Sequence, residues 1–380
     1  MNLQSKLPNI GTTIFTVLSG LAREHNAINL SQGFPDFGCD PQLLELANKH
    51  MQAGFNQYAP MQGILPLRER IAEIIQNCYK AKYDPDTEIT VTAGATQGIY
   101  TSIAAFINKG DEVIVFEPAY DCYVPAIEVH GGVAVPLQLT YPDFKINWEE
   151  VKQKINSKTR MIIINTPHNP SGTVLNENDL KELQNLVAGK NILVVSDEVY
   201  EHMAFDNKPH QSVALYEQLR KQSLIISSFG KTVHTTGWKI GYVAAPKELM
   251  VEFRKVHQFL VFAVNHPFQL ALADFLATPK NYLELKNFYQ KKRDYFQKLI
   301  SPSRFIIEPC TGTYFQLLNY KRISEEKDTD FAIRLTKEKK LAGVPLSVFY
   351  SKQTDNKLLR FCFAKKEETL QQAAEIINKL

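Results

Sequence analysis

The chain has 380 residues, 44% hydrophobic and 22% charged, which excludes a disordered, fibrous or collagen-like polymer and predicts a folded protein of about two domains. Forty-three Lys and Arg against 40 Asp and Glu leave a net charge of +3 with no dense basic block, so nothing electrostatic argues for a nucleic-acid partner. The cysteines, Cys39, Cys78, Cys122, Cys310 and Cys362, are scattered without a Cys-x-x-Cys pair, so neither a disulfide framework nor a zinc site is expected. The first thirty residues carry Lys6, Arg23, Glu24 and His25 and no continuous apolar stretch, which argues against a signal peptide. The longest apolar run, Phe259 to Val264, falls far short of the roughly 18 residues that span a bilayer. A cytoplasmic protein with a small-molecule ligand is expected, with no membrane partner.

From about residue 40 the sequence alternates helical patterns with short apolar runs, the form of a doubly wound α/β domain. Asp40-Pro41 opens a helix that stops at Gly54, and a second helix is predicted over Leu67 to Tyr79. Glu88 to Thr92 is strand-like and runs through a small turn, Ala93-Gly94-Ala95-Thr96, into a helix reaching Asn108. Val113 to Phe116, Met161 to Ile164, Ile192 to Val195 and Leu224 to Ile226 are apolar without alternation, as strands covered on both faces are. Lys239 to Ala244 follows Ser228 after only about ten residues, too few for a parallel crossover, so this strand is predicted to run antiparallel to its neighbours. Helices are then predicted at Lys247 to Phe262, Pro267 to Ala277 and Tyr282 to Leu299. Strands follow at Tyr314 to Leu318, Leu346 to Tyr350 and Leu358 to Phe363, with helices at Asp328 to Leu341 and Lys366 to Leu380. The expected division is an N-terminal segment, 1–40, packing with a small C-terminal domain, 266–380, around a large domain, 41–265.

In open α/β sheets ligands bind beyond the carboxyl ends of the strands. Polar residues follow five of the runs: the Gly94 turn, Glu117 to Tyr120, Asn165 to Gly172, Ser196 to Tyr200, and Ser227 to Lys231. Each has an ordinary explanation alone, since Asn169-Pro170-Ser171-Gly172 is good turn chemistry, Asp197 could cap a helix and a lone lysine is usually a solvated one. Their convergence on one edge is what matters. The set suits a pyridine aldehyde phosphate held on a lysine. Lys231 would supply the amine and Asp197 would pair with a protonated pyridine nitrogen. Asn169 and Tyr200 would bond a ring oxygen. The Gly94-Ala95-Thr96 turn, Ser228 and Lys239 would receive the phosphate. Gly-x-Gly-x-x-Gly is missing there, which argues against a nicotinamide enzyme.

Asn169-Pro170-x-Gly172, Asp197-Glu198-Val199-Tyr200 and Ser227-Ser228-Phe229-Gly230-Lys231, with Thr236-Gly237-Trp238-Lys239-Ile240-Gly241-Tyr242, resemble the signature blocks of class I/II pyridoxal-phosphate aminotransferases of fold type I. Asn29 to Pro35, Gln57 to Gly63 and Glu117 to Tyr123 are similar to the branch of kynurenine aminotransferase, glutamine transaminase K and methionine aminotransferase. The resemblance implies a mostly parallel mixed sheet with one antiparallel strand in a large domain, plus a smaller α+β domain. It implies that Lys231 is the Schiff-base lysine and proton carrier, Asp197 the pyridinium partner, Asn169 and Tyr200 the phenolate partners, and Tyr120 the stacking ring. Ala95, Thr96, Ser228 and Lys239 would hold the phosphate, with Tyr58 reaching that of the neighbouring subunit in a homodimer. Arg360 would grip the substrate α-carboxylate, Gly33 would pass beside it, and Phe15 would line the side-chain pocket. Many relatives carry arginine at the Lys239 position; lysine keeps the charge and loses the bidentate fork.

The reaction implied is a ping-pong transamination of an amino acid with an apolar or aromatic side chain: methionine, phenylalanine, tyrosine, histidine, glutamine or kynurenine. No second arginine is identifiable for a distal carboxylate, so aspartate is a poor candidate. Two alternatives stand beside it, a cysteine-conjugate β-lyase on the same cofactor and a non-enzymatic pyridoxal-phosphate-binding regulator.

Overall fold

The structure is a computed structural model that describes residues 3–8 and 10–380. Helices α1 (Ile14–Glu24), α2 (Pro41–Gln52) and α3 (Leu65–Tyr79) come first. Asp40 caps α2 by accepting from the Gln42 amide, and Pro41 fixes its first turn, as the sequence predicts. The large sheet is built from β1 (Ile89–Thr92), β2 (Glu112–Glu117), β3 (Val133–Gln138), β4 (Thr159–Asn165), β5 (Leu193–Asp197), β6 (Ser223–Ser228) and β7 (Gly241–Ala244). Among them run α4 (Ala95–Phe106), α5 (Tyr123–Val129) and α6 (Glu177–Val187), followed by α7 (Lys247–Leu260), α8 (His266–Phe275) and α9 (Leu285–Ile300).

The spatial order is β1-β7-β6-β5-β4-β2-β3. All neighbours are parallel except at β7, which pairs antiparallel with both β1 and β6, with Ser228 opposite Gly241. The short link between β6 and β7 leaves no room for a crossover, so the reversed strand follows from chain length. Successive residues explain the lack of alternation. Val113, Val115, Met161, Ile163, Leu224 and Val243 face one core with Ile99 and Ile103 of α4, Ile127 of α5 and Phe253 of α7. Ile114, Phe116, Ile162, Ile164, Ile225 and Ala244 face the other, against Ile71 of α3 and Leu180 and Leu183 of α6.

The smaller sheet contains β8 (Ile306–Ile307), β9 (Phe315–Asn319), β10 (Val344–Pro345) and β11 (Leu358–Cys362) in the antiparallel order β10-β11-β9-β8, with α10 (Asp328–Lys339) and α11 (Glu367–Ile377) beside it. The N-terminal stretch meets this unit. Ile28–Asn29 pairs parallel with Leu341–Ala342, the Cys362 amide donates to the Leu30 carbonyl at 2.8 Å, and α1 packs on α10. Helix α8 packs on α2 and α3.

Helices α1, α5 and α6 and strand β8 were not among the expected elements, and two further differences have a physical reason. Leu346 to Tyr350, predicted as a strand, is a 3-10 turn over Leu346–Phe349, because the Asp328 carboxylate accepts from the Ser347 amide at 2.7 Å and the Ser347 hydroxyl at 2.6 Å and curls the chain around it. Strand β3 was not foreseen: Pro136 interrupts its pattern, which a sheet tolerates at the edge position this strand occupies. Among the described residues no helix is long and apolar enough to cross a membrane.

Candidate active site

The carboxyl ends of β2, β4, β5 and β6 and the start of α4 open onto one cavity of about 310 Å³, closed from the other side by Gly33, Phe15, Phe315 and Arg360. Twelve of the thirteen residues predicted from sequence line it: Ala95, Thr96 and Tyr120; Asn169, Asp197 and Tyr200; Ser228, Lys231 and Lys239; Gly33, Arg360 and Phe15. Tyr58 does not. It is 83% exposed, and its ring meets Phe262 edge-on at 5.4 Å.

Lys231 sits in the one-turn helix Phe229–Thr232 that ends β6. Its amine donates to the Tyr314 hydroxyl at 2.8 Å and to the Gly33 carbonyl at 3.1 Å. Enclosure pushes the amine down to about 8, with the Arg360 and Lys239 charges acting the same way. Asp197 ends β5 and is buried. It accepts from the Tyr123 hydroxyl at 2.5 Å and the Val199 amide at 3.3 Å, and desolvation pushes its carboxyl up to about 6. Tyr200 is buried with its ring edge-to-face on Tyr314 at 5.2 Å, and burial raises its phenol.

Arg360, on β11, is 2% exposed. It donates through Nη1 to Asn169 Oδ1 at 2.6 Å and through Nη2 to the Ser31 carbonyl at 3.3 Å, and it lies 3.9 Å over the Phe315 ring. Its Nε has no partner, and desolvation holds the group below its usual value. Among the described residues no carboxylate pairs with Arg360, Lys239 or Lys231, and no cation pairs with Asp197. Uncompensated charges of both signs around one cavity call for a ligand that carries the complements.

Gly94, before α4, has φ +78° and ψ 171°, a region open only to glycine, and a Cβ there would lie 3.3 Å from Lys239 Nζ. The space beside that ammonium and the free amides of α4 is thereby kept open for an anion. The donor set fits pyridoxal phosphate: a carboxylate for a ring cation, an amine for an aldehyde, and a helix end with Lys239 and Ser228 for a phosphate.

Sequence reasoning gave no role to Tyr123 or Tyr314. Tyr123 starts α5 three residues after Tyr120, a spacing that could have marked it. Tyr314 reaches Lys231 from 83 residues away, and no local pattern carries that contact.

The sequence profile of the family described as aminotransferase class I and II matches residues 25–377. The chain is 50% identical to a methionine aminotransferase of Escherichia coli, covering 99% of this chain and 98% of that one. It is 34% identical to a probable N-succinyldiaminopimelate aminotransferase of Mycobacterium tuberculosis (99% and 98% covered), and 32% to a kynurenine–oxoglutarate transaminase of Dictyostelium discoideum (98% and 95%). The solved structure of YbdL from Escherichia coli, presented as identifying a methionine aminotransferase function, superposes with a TM-score of 0.98 at 49% identity, covering 100% of both chains. With the family profile matched over residues 25–377 and relatives of this identity aligned along the whole chain, the chain belongs to the class I and II aminotransferases, enzymes that move an amino group between an amino acid and a 2-oxo acid with pyridoxal phosphate.

Proposed function

We propose that this aminotransferase takes methionine and aromatic amino acids as its amino donors, with histidine, glutamine and kynurenine in the same range, and acts as a cytoplasmic homodimer. The observation that carries the substrate reading is Arg360 among Phe15, Phe315 and Phe349, its guanidinium carbon 5.3, 3.9 and 5.2 Å from the three ring centres. A planar guanidinium suits one carboxylate, and aromatic walls suit an apolar or aromatic side chain. The only cations lining the cavity among the described residues are Lys231, Lys239 and Arg360, and Asp121 also lines it, so a distal carboxylate finds repulsion rather than a partner. The names of the relatives support the same substrates, methionine first.

Bound pyridoxal phosphate supplies an electron sink for charge that develops at the substrate α-carbon. Asp197, ionised, would hold the ring nitrogen protonated. Asn169, whose Oδ1 is taken by Arg360, keeps its Nδ2 to donate to the ring oxygen beside the Tyr200 hydroxyl. Tyr120 would lie against the ring face, and Ala95, Thr96, Ser228 and Lys239 would receive the phosphate. Arg360 and the Gly33 backbone would fix the substrate carboxylate, which sets the α-hydrogen against Lys231. Lys231 Nζ, lowered to about 8, would accept the α-proton near neutral pH and return it on the opposite leg. The walls of the cavity would exclude water while the proton moves.

Tyr58 would serve the neighbouring subunit, consistent with its exposure against the exposed ring of Phe262. The proposed division keeps 41–265 as the cofactor-binding domain and joins 1–40 to 266–380, with the cavity at the seam.

A donor panel followed by visible absorption tests the function. The cofactor band should bleach with methionine or phenylalanine and return with a 2-oxo acid. Aspartate ahead of methionine would overturn the substrate reading. Pyruvate and thiol released from an S-substituted cysteine faster than amino transfer would make the β-lyase the main activity.

A further inference from the structure

Tyr314 precedes β9 and is 1% exposed, with its hydroxyl against the amine of Lys231, which lines the cavity. The hydroxyl donates to the Gly33 carbonyl at 2.5 Å and accepts from Lys231 Nζ at 2.8 Å, while Nζ also donates to the Gly33 carbonyl at 3.1 Å. A phenol has one hydrogen, and here it is committed to a carbonyl that can only accept. Tyr314 therefore meets Lys231 purely as an acceptor. An unprotonated amine has two hydrogens and one lone pair. With both hydrogens turned to Tyr314 Oη and Gly33 O, tetrahedral geometry leaves the lone pair facing away from them, into the cavity. A third N–H, as in the ammonium form, finds no acceptor at Nζ among the described residues. The charged and titratable groups around Nζ are Tyr314, Tyr200, Cys362, Arg360, Lys239 and Asp197; Arg360 and Lys239 lower the amine, Cys362 and Asp197 raise it, and burial is the largest influence and lowers it.

We propose that Tyr314 is a positioning residue for Lys231, its hydroxyl orienting the unbound amine so that the lone pair points into the cavity, as a base toward substrate and a nucleophile toward the cofactor aldehyde. This rests on the aminotransferase reading. In the attachment step Nζ forms a C=N bond to the aldehyde carbon, the aldehyde oxygen leaves as water, and that water carries off the two amine hydrogens, so no further reagent is required.

The test is Tyr314→Phe in the full chain. The substitution keeps the ring that packs edge-on against Tyr200 at 5.2 Å and against Phe315 at 4.9 Å, and removes only the oxygen. Two readouts are taken: the rate at which pyridoxal phosphate, returned to the stripped protein, attaches covalently as followed by visible absorption, and the α-deuterium isotope effect on kcat with methionine in the loaded enzyme. The variant should reach the same final cofactor content, attach it about tenfold more slowly, and lose about tenfold in kcat per loaded site with little change in KM, because a misaimed base slows proton transfer. Its isotope effect should exceed that of the wild type. An attachment rate or an isotope effect equal to the wild-type value overturns the proposal, whatever kcat does. Wild-type turnover is measured alongside, so a failure of the substrate reading shows in the unmodified protein and is separate from a failure of Tyr314.

Discussion

Asp197 shows how much of a site one residue's surroundings decide. Its position after a buried strand was legible in the sequence, because a carboxylate following Leu193 to Ser196 has little structural reason to be there. Its tuning was not legible, since the Tyr123 hydroxyl comes from 74 residues away. Without cofactor, burial raises the carboxyl from 3.8 to about 6, and the Tyr123 bond holds it back from rising further. A cation bound at Asp197 lowers that value, so below about pH 6 cofactor binding must first expel a proton and affinity falls. Tyr123→Phe removes a donor to the ionised form and should move this midpoint to higher pH. Cofactor affinity titrated against pH in both proteins checks it, and identical midpoints would remove Tyr123 from the tuning of Asp197.

At the level of elements, β7 joins the sheet's hydrogen bonding to the start of α4, the end of the cavity proposed for the phosphate. A Cβ on Gly241 would lie 2.5 Å from the Ser227 carbonyl oxygen and 3.1 Å from the Ala95 amide nitrogen, both of them backbone atoms that no rotamer change can move. Gly241→Ala should therefore push β7 from β6 and from the first turn of α4, lowering stability by about 1 to 3 kcal/mol. Cofactor affinity should fall with it, because the displaced amides are those proposed to receive the phosphate. Thermal unfolding and a cofactor titration read the two effects, and wild-type values in both would show that the strands part without cost. The reversed strand was legible from the length of the β6–β7 link. The 3-10 turn at Leu346–Phe349 was not, because the Asp328 carboxylate that caps it comes from another helix, 19 residues earlier.

At the scale of the whole molecule, the resemblance implies a dimer with shared sites, and the exposed ring of Tyr58, edge-on to exposed Phe262, suits that role. Lys231→Ala and Tyr58→Ala should each be nearly inactive alone. Mixed and allowed to exchange subunits, they should regain about a quarter of wild-type activity, since half of the dimers are hybrids with one intact site in two. No recovery on mixing, with exchange verified by mass, would place Tyr58 outside the partner's site. The sequence by itself determined the reversed strand and the polar residues at the strand ends, because covered parallel strands impose continuous apolar runs and put the next polar residue at the ligand edge, while the resemblance of its motif blocks pointed to the family and to Phe15, Gly33 and Arg360, which also line the cavity. Only the tertiary structure decided which groups touch. The bond of Arg360 to Asn169 spans 191 positions and that of Tyr314 to Gly33 spans 281, and contacts at such separations leave no local pattern to read. They exist because the small sheet and the N-terminal segment close over the strand ends, and that closure gives Lys231 its acceptors and Arg360 its aromatic walls.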